Sequence, residues 1–223
     1  ANTNIYFPGN TKISGTAQAR LRQAYATITW KDLPLSKQEK ASVGLKIGQA
    51  WHPIMGDMMP DVFSLETGAP FTPFSRSPQL RYDYKNKGFT LTATALYQYQ
   101  YTSYGPDKEG KNTGSFDYAR NAVIPELYFQ LMYKKGGFMI GAGVDLLAIK
   151  PRQSYTHTTT GENGEQITNT YKCKEDLAVS ITPNIFASYK KGDWGFKGRV
   201  TYAQNASHLS MISGYGVTEI YDN

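Results

Sequence analysis

Apolar and polar residues alternate along most of this chain with a period of two. The stretch from Phe89 to Tyr101 shows the pattern most fully. Every second residue from Phe89 onward is apolar or aromatic, and the residues between them are mostly threonine and glutamine. Successive side chains of a β-strand point to opposite sides, so the pattern predicts strands with one apolar face and one polar face.

The alternation predicts an all-β fold of eight antiparallel strands in up-and-down order. The predicted strands lie near residues 20–31, 41–51, 79–86, 88–101, 122–134, 138–150, 174–190 and 194–205. Most are longer than ten residues, whereas strands of globular proteins average about 5–6. Because a tilted strand needs about 9–11 residues to cross a bilayer, these lengths favour a transmembrane β-barrel.

The connections between the predicted strands are alternately short and long. Three short ones share a motif in which two aromatic residues flank a turn with lysine and glycine, at 84–89, 133–138 and 189–194. Each predicts a two-residue hairpin, since glycine supplies the positive φ of a primed turn. The long connections all fall at the opposite end, as in outer-membrane barrels, and cover 52–78, 102–121, 151–173 and 206 onward.

Apolar runs in the sequence are too short for a membrane-spanning helix. The longest covers 138–144, and such a helix needs about 20 residues. Aromatic residues flank the short turns, namely Trp30, Tyr84, Phe89, Tyr133, Phe138, Tyr189 and Trp194. Aromatic rings concentrate at membrane–water interfaces, so this set predicts an interfacial girdle. Ordinary cross-strand aromatic pairs in a soluble β-sandwich are the alternative.

The net charge of +6 does not predict a nucleic-acid partner. Six lysines lie in the three short turns, and neither a basic helix nor an aromatic RNA-binding motif occurs in the sequence. The single cysteine, Cys173, excludes an intramolecular disulfide and a CxxC metal site.

We expect residues 1–223 to form one partial barrel domain. Strand parity places both ends of the chain beside the long loops, whereas complete bacterial barrels have both termini beside the short turns. The chain also ends in Tyr221-Asp222-Asn223 and not in the usual aromatic residue. Eight strands are about half of a 16–18-stranded porin. We therefore expect further strands before residue 20 and after residue 205.

The connection 52–78 differs from the other long loops. It contains five prolines and an apolar complement that includes Ile54, Met55, Met58 and Phe74. A stiff, apolar loop will not extend into water, so we expect it to fold into the lumen as a constriction. A lid packed over the rim, or a contact with another chain, is the alternative.

Three segments resemble the DcaP-type outer-membrane porins, with the Bacteroidetes branch the most similar. They are Arg20-Leu21-Arg22-Gln23-Ala24-Tyr25, the segment Gly48-Gln49-Ala50-Trp51-His52-Pro53, and residues 68–81, which read GAPFTPFSRSPQLR. The resemblance covers about residues 18–215. It implies a trimeric barrel in the bacterial outer membrane, in contact with lipid and lipopolysaccharide, that passes small and often anionic solutes. From this resemblance we expect the amino-terminal segment and the closing strands of that family to be missing from residues 1–223.

A passive channel needs charged groups at its narrowest point and no catalytic residue. Strand parity predicts lumen-facing Lys46, Arg81, Asp83, Glu126, Asp145, Lys197 and Arg199, and the loop adds Asp57, Asp61, Glu66 and Arg76. Arg20 and Arg22 share parity with apolar residues, so a bulge is needed to turn them inward. We hypothesise that Arg20, Arg22, Arg76 and Arg81 face Asp57, Asp61 and Glu66 across the constriction, with Lys46 nearby. Charges that only pin the loop are the alternative.

The sequence predicts neither an enzyme nor a metal or cofactor site. His52, His157 and His208 are scattered, without HExxH spacing. Ser207 and His208 are adjacent, and adjacent strand residues face opposite ways, so they do not fit a hydrolase triad. The predicted function is passive diffusion of small hydrophilic solutes through the outer membrane. A non-conducting barrel subunit of a larger outer-membrane assembly and a soluble all-β binding protein are the alternatives.

Overall fold

The fold is all-β, and nine strands of the described residues form one antiparallel sheet. The computed structural model describes residues 2–6, 20–34, 40–59, 68–106, 112–151, 154–161, 163–172 and 177–216. Its elements are β1 (Asn2–Tyr6), β2 (Arg20–Pro34), β3 (Lys40–Trp51), β4 (Arg76–Asn86), β5 (Phe89–Leu96), β6 (Tyr104–Pro106), β7 (Asn112–Gly114), α1 (Asp117–Ala122), β8 (Glu126–Lys135), β9 (Phe138–Ile149), β10 (Ser154–Thr160), β11 (Gln166–Lys172), β12 (Ala178–Lys191) and β13 (Trp194–Thr201).

The sheet has up-and-down order, as the sequence predicts. Its strands are β1, β2, β3, β4, β5, β8, β9, β12 and β13, and each pairs with the next in this order. The pairs β6–β7 and β10–β11 form separate two-stranded ribbons within the long connections. Within the described part of the chain the sheet is open, because its edge strands β1 and β13 do not pair with each other.

The three predicted hairpins are confirmed. Asn86 pairs with Phe89 around a turn in which Lys87 has φ 46° and Gly88 has φ 87°. Positive φ at both central residues is typical of a type I′ turn, whose twist matches that of the flanking strands. Lys135 pairs with Phe138, and Lys191 with Trp194, around turns of the same length.

The structure corrects the extent of several predicted strands. Strand β5 ends at Leu96 and not near 101, because the Gln98 amide exchanges hydrogen bonds with Ser103 and folds the chain into a loop. Helix α1 ends at Ala122, where the fifth strand is predicted to begin, and that strand instead starts at Glu126. Residues 2–6 pair with β2 and add a strand before residue 20.

The apolar face of the sheet is exposed and the polar face is buried, which is the reverse of a soluble protein. The exposed face is apolar, with Leu91 47%, Leu131 54% and Ile185 63% exposed. The buried face is largely polar and includes Thr90, Thr92, Thr94, Gln130, Ser180, Thr182 and Asn184. Soluble sheets bury their apolar side chains and expose the polar ones, so this sheet is inverted.

Two loop segments cover the polar face. Ile54 and Met55, after β3, pack with Ala206 and Leu209, after β13, against Leu96 and Tyr128. Met58 packs in a second cluster against Met132, Met139 and Phe186 of the sheet. The cores of the molecule therefore lie between loops and the polar face. Among the residues described, no helix has the length and apolar character needed to cross a bilayer.

Candidate functional site

The strand register aligns one row of residues across the buried face. Each member lies opposite the next on the neighbouring strand: Thr27, Lys46, Arg81, Thr94, Tyr128, Asp145 and Thr182. Cross-strand partners point to the same side of a sheet, so Lys46, Arg81 and Asp145 share a face, as strand parity predicts.

Arg81 and Asp83 form an ion pair on this face. Nε and Nη2 of Arg81 lie 2.9 and 2.8 Å from Oδ1 of Asp83, which also accepts a 2.6 Å hydrogen bond from the Thr92 hydroxyl. The ammonium group of Lys46 lies 4.5 Å from the ring centre of Tyr25. Both cations are half-buried, so they stand at the boundary between sheet and water.

Arg76 is a buried cation among aromatic rings. It is 5% exposed. Its guanidinium lies 4.8 Å from the ring centre of Trp51, and Nη2 donates to the hydroxyl of Tyr101 at 3.0 Å. Its Nε and Nη1 have no hydrogen-bond partner among the described residues. Cation–π contacts compensate in part for the desolvation of the charge.

Lys197 and Arg199, also predicted to face the lumen, hold the loop that follows β3. Lys197 Nζ donates to the carbonyl of Met59 at 3.0 Å, and Arg199 Nη2 donates to the carbonyl of Ile54. These contacts fix the backbone of residues 54–59 against strand β13.

Two histidines and two carboxylates alternate in a ring of four side chains beneath the loops. His52 Nε2 lies 2.7 Å from Glu126 Oε1 and 3.5 Å from Asp145 Oδ1. His208 Nε2 lies 3.4 Å from Glu126 Oε1 and 3.1 Å from Asp145 Oδ2. Each imidazole thus touches both carboxylates, and all four residues are at most 2% exposed. We call these residues the histidine–carboxylate ring.

The two imidazoles of this ring have different surroundings. The Ile54 N–H donates to Nδ1 of His52 at 3.1 Å, a contact that favours the neutral ring with its proton on Nε2, toward Glu126. Burial also favours the neutral ring of His52, but the hydrogen bonds to Asp145 and Glu126 act against it and raise its pKa. Burial alone would lower the pKa of His208, but the charge of Glu126 and the hydrogen bonds to Asp145 and Glu126 outweigh it and raise that pKa to about 10. His208 is therefore a cation at neutral pH.

A cavity of about 750 Å³ lies at the short-turn end of the buried face. Five lysines line it: Lys31, Lys40, Lys85, Lys87 and Lys134. Thr90 and Met132 form part of its wall. The cavity therefore presents an excess of positive charge to water.

Several predicted site residues fall outside the described part of the chain. They are Asp61 and Glu66, together with the side chains of Arg20 and Asp57. The predicted opposition of arginines and these acids therefore stays a prediction. Arg22 is half-buried, and the β1–β2 register skips it, pairing Asn4 with Gln23 and Ile5 with Leu21.

The sequence pattern alone does not predict the histidine–carboxylate ring. His52 and Glu126 are 74 positions apart in the sequence, and Asp145 and His208 are 63 positions apart. Only the register of β8 and β9, together with the two covering loops, brings these residues into contact. The strand parity of Glu126 and Asp145 was the one available signal.

Comparison with family models, with curated proteins and with solved structures gives no match to this chain. The class that the fold defines is an antiparallel, up-and-down β-sheet with an inverted distribution of polar and apolar residues.

Proposed function

We propose that this chain is part of an outer-membrane β-barrel that lets small hydrophilic solutes, anions in particular, diffuse across the membrane. One observation carries the proposal, namely the inverted burial of the sheet. At neighbouring positions on β5, Leu91 is 47% exposed and Thr92 is 0% exposed. A lipid-facing exterior and a polar interior require this arrangement, whereas a soluble β-sandwich requires the reverse.

Strand length and aromatic placement support the proposal. Strands β2, β3, β4, β8, β9 and β12 have between 10 and 15 residues, enough to cross a bilayer when tilted. Phe89 and Tyr133 pack against each other beside two short turns, with ring centres 4.7 Å apart and the rings tilted by 48°. Trp194, at another turn, is 77% exposed. These rings would lie at the membrane interface.

The lysine-lined cavity beside the short turns supports a preference for anions. Five lysines and one acid, Asp32, line it, whereas on the rest of the buried face Arg81 is paired with Asp83. A cleft with an excess of one sign of charge raises the local concentration of the opposite ion. An anionic solute would therefore be enriched in this cavity.

The test is electrical recording from the full-length protein in planar lipid bilayers under a potassium chloride gradient. The proposal predicts stable conductance steps and a reversal potential shifted toward the equilibrium potential of chloride. A protein that inserts into the membrane and shows neither steps nor selectivity would contradict it.

A second candidate, a non-conducting barrel subunit, is favoured by a specific observation. Both loop segments pack tightly on the buried face through Met58, Met55 and Leu209. Lys197 and Arg199 also fasten the first loop to β13. Insertion without conductance, together with co-purification of other outer-membrane proteins, is the outcome that this candidate predicts.

A further inference from the structure

We propose that Glu126, Asp145 and His208 bind a divalent first-row transition metal ion such as Zn²⁺, with His52 holding Glu126 from the second coordination shell. The inference does not depend on transport, because it rests on the histidine–carboxylate ring alone. The site would join strands β8 and β9 to the segment after β13.

The donor atoms already converge. Nε2 of His208 lies 3.1 Å from Asp145 Oδ2 and 3.4 Å from Glu126 Oε1. Ligand atoms about 2.0–2.2 Å from one zinc ion are separated by similar distances in a tetrahedral site. Imidazole nitrogen with carboxylate oxygen suits zinc and its neighbours better than calcium or magnesium, which prefer oxygen alone.

The two buried carboxylates also favour a cation. Glu126 is 2% exposed and Asp145 is 1% exposed, and both contact the same nitrogen, Nε2 of His208. Burying two carboxylates side by side is costly unless a cation compensates them. A divalent ion at this point would compensate both.

Two carboxylate oxygens of the ring make no hydrogen bond within the described part of the chain and could bind a metal. Glu126 Oε2 and Asp145 Oδ1 are buried and have no hydrogen-bond partner among the described residues. Buried carboxylate oxygens normally have one. Each carboxylate therefore has one oxygen that makes no hydrogen bond to the residues described and that could also bind a metal.

The hydrogen bond at Nδ1 assigns His52 a different role from His208. A neutral imidazole has one proton, and in His52 it must be on Nε2, which lies 2.7 Å from Glu126 Oε1. His52 therefore donates to a ligand and is not itself a ligand. Such second-shell partners orient metal ligands, and their loss typically weakens binding about 10–100-fold.

The experiment uses the full-length protein in detergent, saturated with Zn²⁺, passed through a desalting column and analysed by inductively coupled plasma mass spectrometry. We expect about one equivalent of zinc, removable by EDTA. Asp145→Asn and His208→Gln should lose it, while His52→Asn should keep the site with about 10–100-fold weaker affinity. Asp83→Asn, which changes an acid of the same face outside the ring, should bind like the wild type.

X-ray absorption of the zinc-loaded wild type keeps the proposal testable if the variants do not fold. One imidazole among oxygen ligands is the expected first shell. A wild type that retains no more zinc than Asp145→Asn, or a shell with two imidazoles or none, would overturn the assignment.

Discussion

His208 Nε2 lies 3.1 Å from Asp145 Oδ2, a contact between residues 63 positions apart that fastens the segment after β13 to the middle of the sheet. Glu126 and His52 complete the environment of the imidazole. The contact is inaccessible to water, so its contribution depends on which groups carry charge.

Titration of His208 gives a stability prediction for the metal-free protein. Its pKa in the folded state, about 10, lies above the ordinary value of 6.5. Because the folded state favours the charged imidazole, His208 contributes its full stabilisation below about pH 6.5. This contribution is lost as the pH rises toward 10. The gap in urea midpoint between wild type and His208→Gln in EDTA should therefore narrow from pH 6 to pH 10. A gap that stays constant would show that His208 is not charged in the fold.

Arg81 should contribute to ion selectivity. Its guanidinium is half-buried in the aligned row, between Lys46 and Thr94, and pairs with Asp83. Arg81→Ser removes the cation and leaves the Asp83 carboxylate unpaired, so the reversal potential should shift toward cation preference. Lys172→Ser, which removes an exposed cation from the β10–β11 ribbon, is the matched control. Equal shifts in both variants would remove Arg81 from the selectivity path.

Ala142 tests the orientation of strand β9. It is exposed and lies opposite Leu131 and Ile185 on the apolar face. An arginine near the bilayer midplane costs about 2–4 kcal/mol in a barrel. We expect Ala142→Arg to destabilise the protein in lipid vesicles, reducing its free energy of unfolding by that amount. Thr159→Arg, on the exposed β10 strand, should have little effect. Equal stability of the Ala142→Arg protein and the wild type would contradict the orientation.

Met58 should control how far the loop after β3 narrows the proposed solute path along the buried face of the sheet. It is 5% exposed against Met132, Met139 and Phe186, whereas its neighbour Met59 is 39% exposed. A carboxylate at 58 cannot stay in that apolar contact, since burial of an unpaired charge is unfavourable. Met58→Asp should therefore release the loop and raise single-channel conductance. Met59→Asp is the control and should conduct like the wild type.

Local chemistry made much of the sheet predictable. Lys87-Gly88 and the two related turns fix the hairpin register, and period-two alternation fixes which residues share a face. The end of β5 was missed because tyrosine and glutamine continue the alternation through residues 97–101. The Gln98–Ser103 hydrogen bonds, which end the strand, depend on a contact that periodicity does not encode.

The candidate site was less predictable than the sheet. Strand parity predicts that Lys46, Arg81 and Asp145 share one face. It does not predict that two loops bury Asp145. His52 and His208 follow the ends of different strands, so their approach depends on the three-dimensional path of the chain. No local pattern records such a meeting.

The most direct test of the central claim is a nitroxide scan along β8 in lipid vesicles. Single cysteines would replace residues 127–133 of the full-length protein after Cys173→Ser. Oxygen accessibility should rise and fall with period two, high at Phe129 and Leu131, which are 42% and 54% exposed, and low at Tyr128 and Gln130, which are 0% and 8% exposed. High accessibility to a water-soluble nickel reagent at Phe129 and Leu131, or the absence of alternation, would contradict a lipid-facing apolar surface.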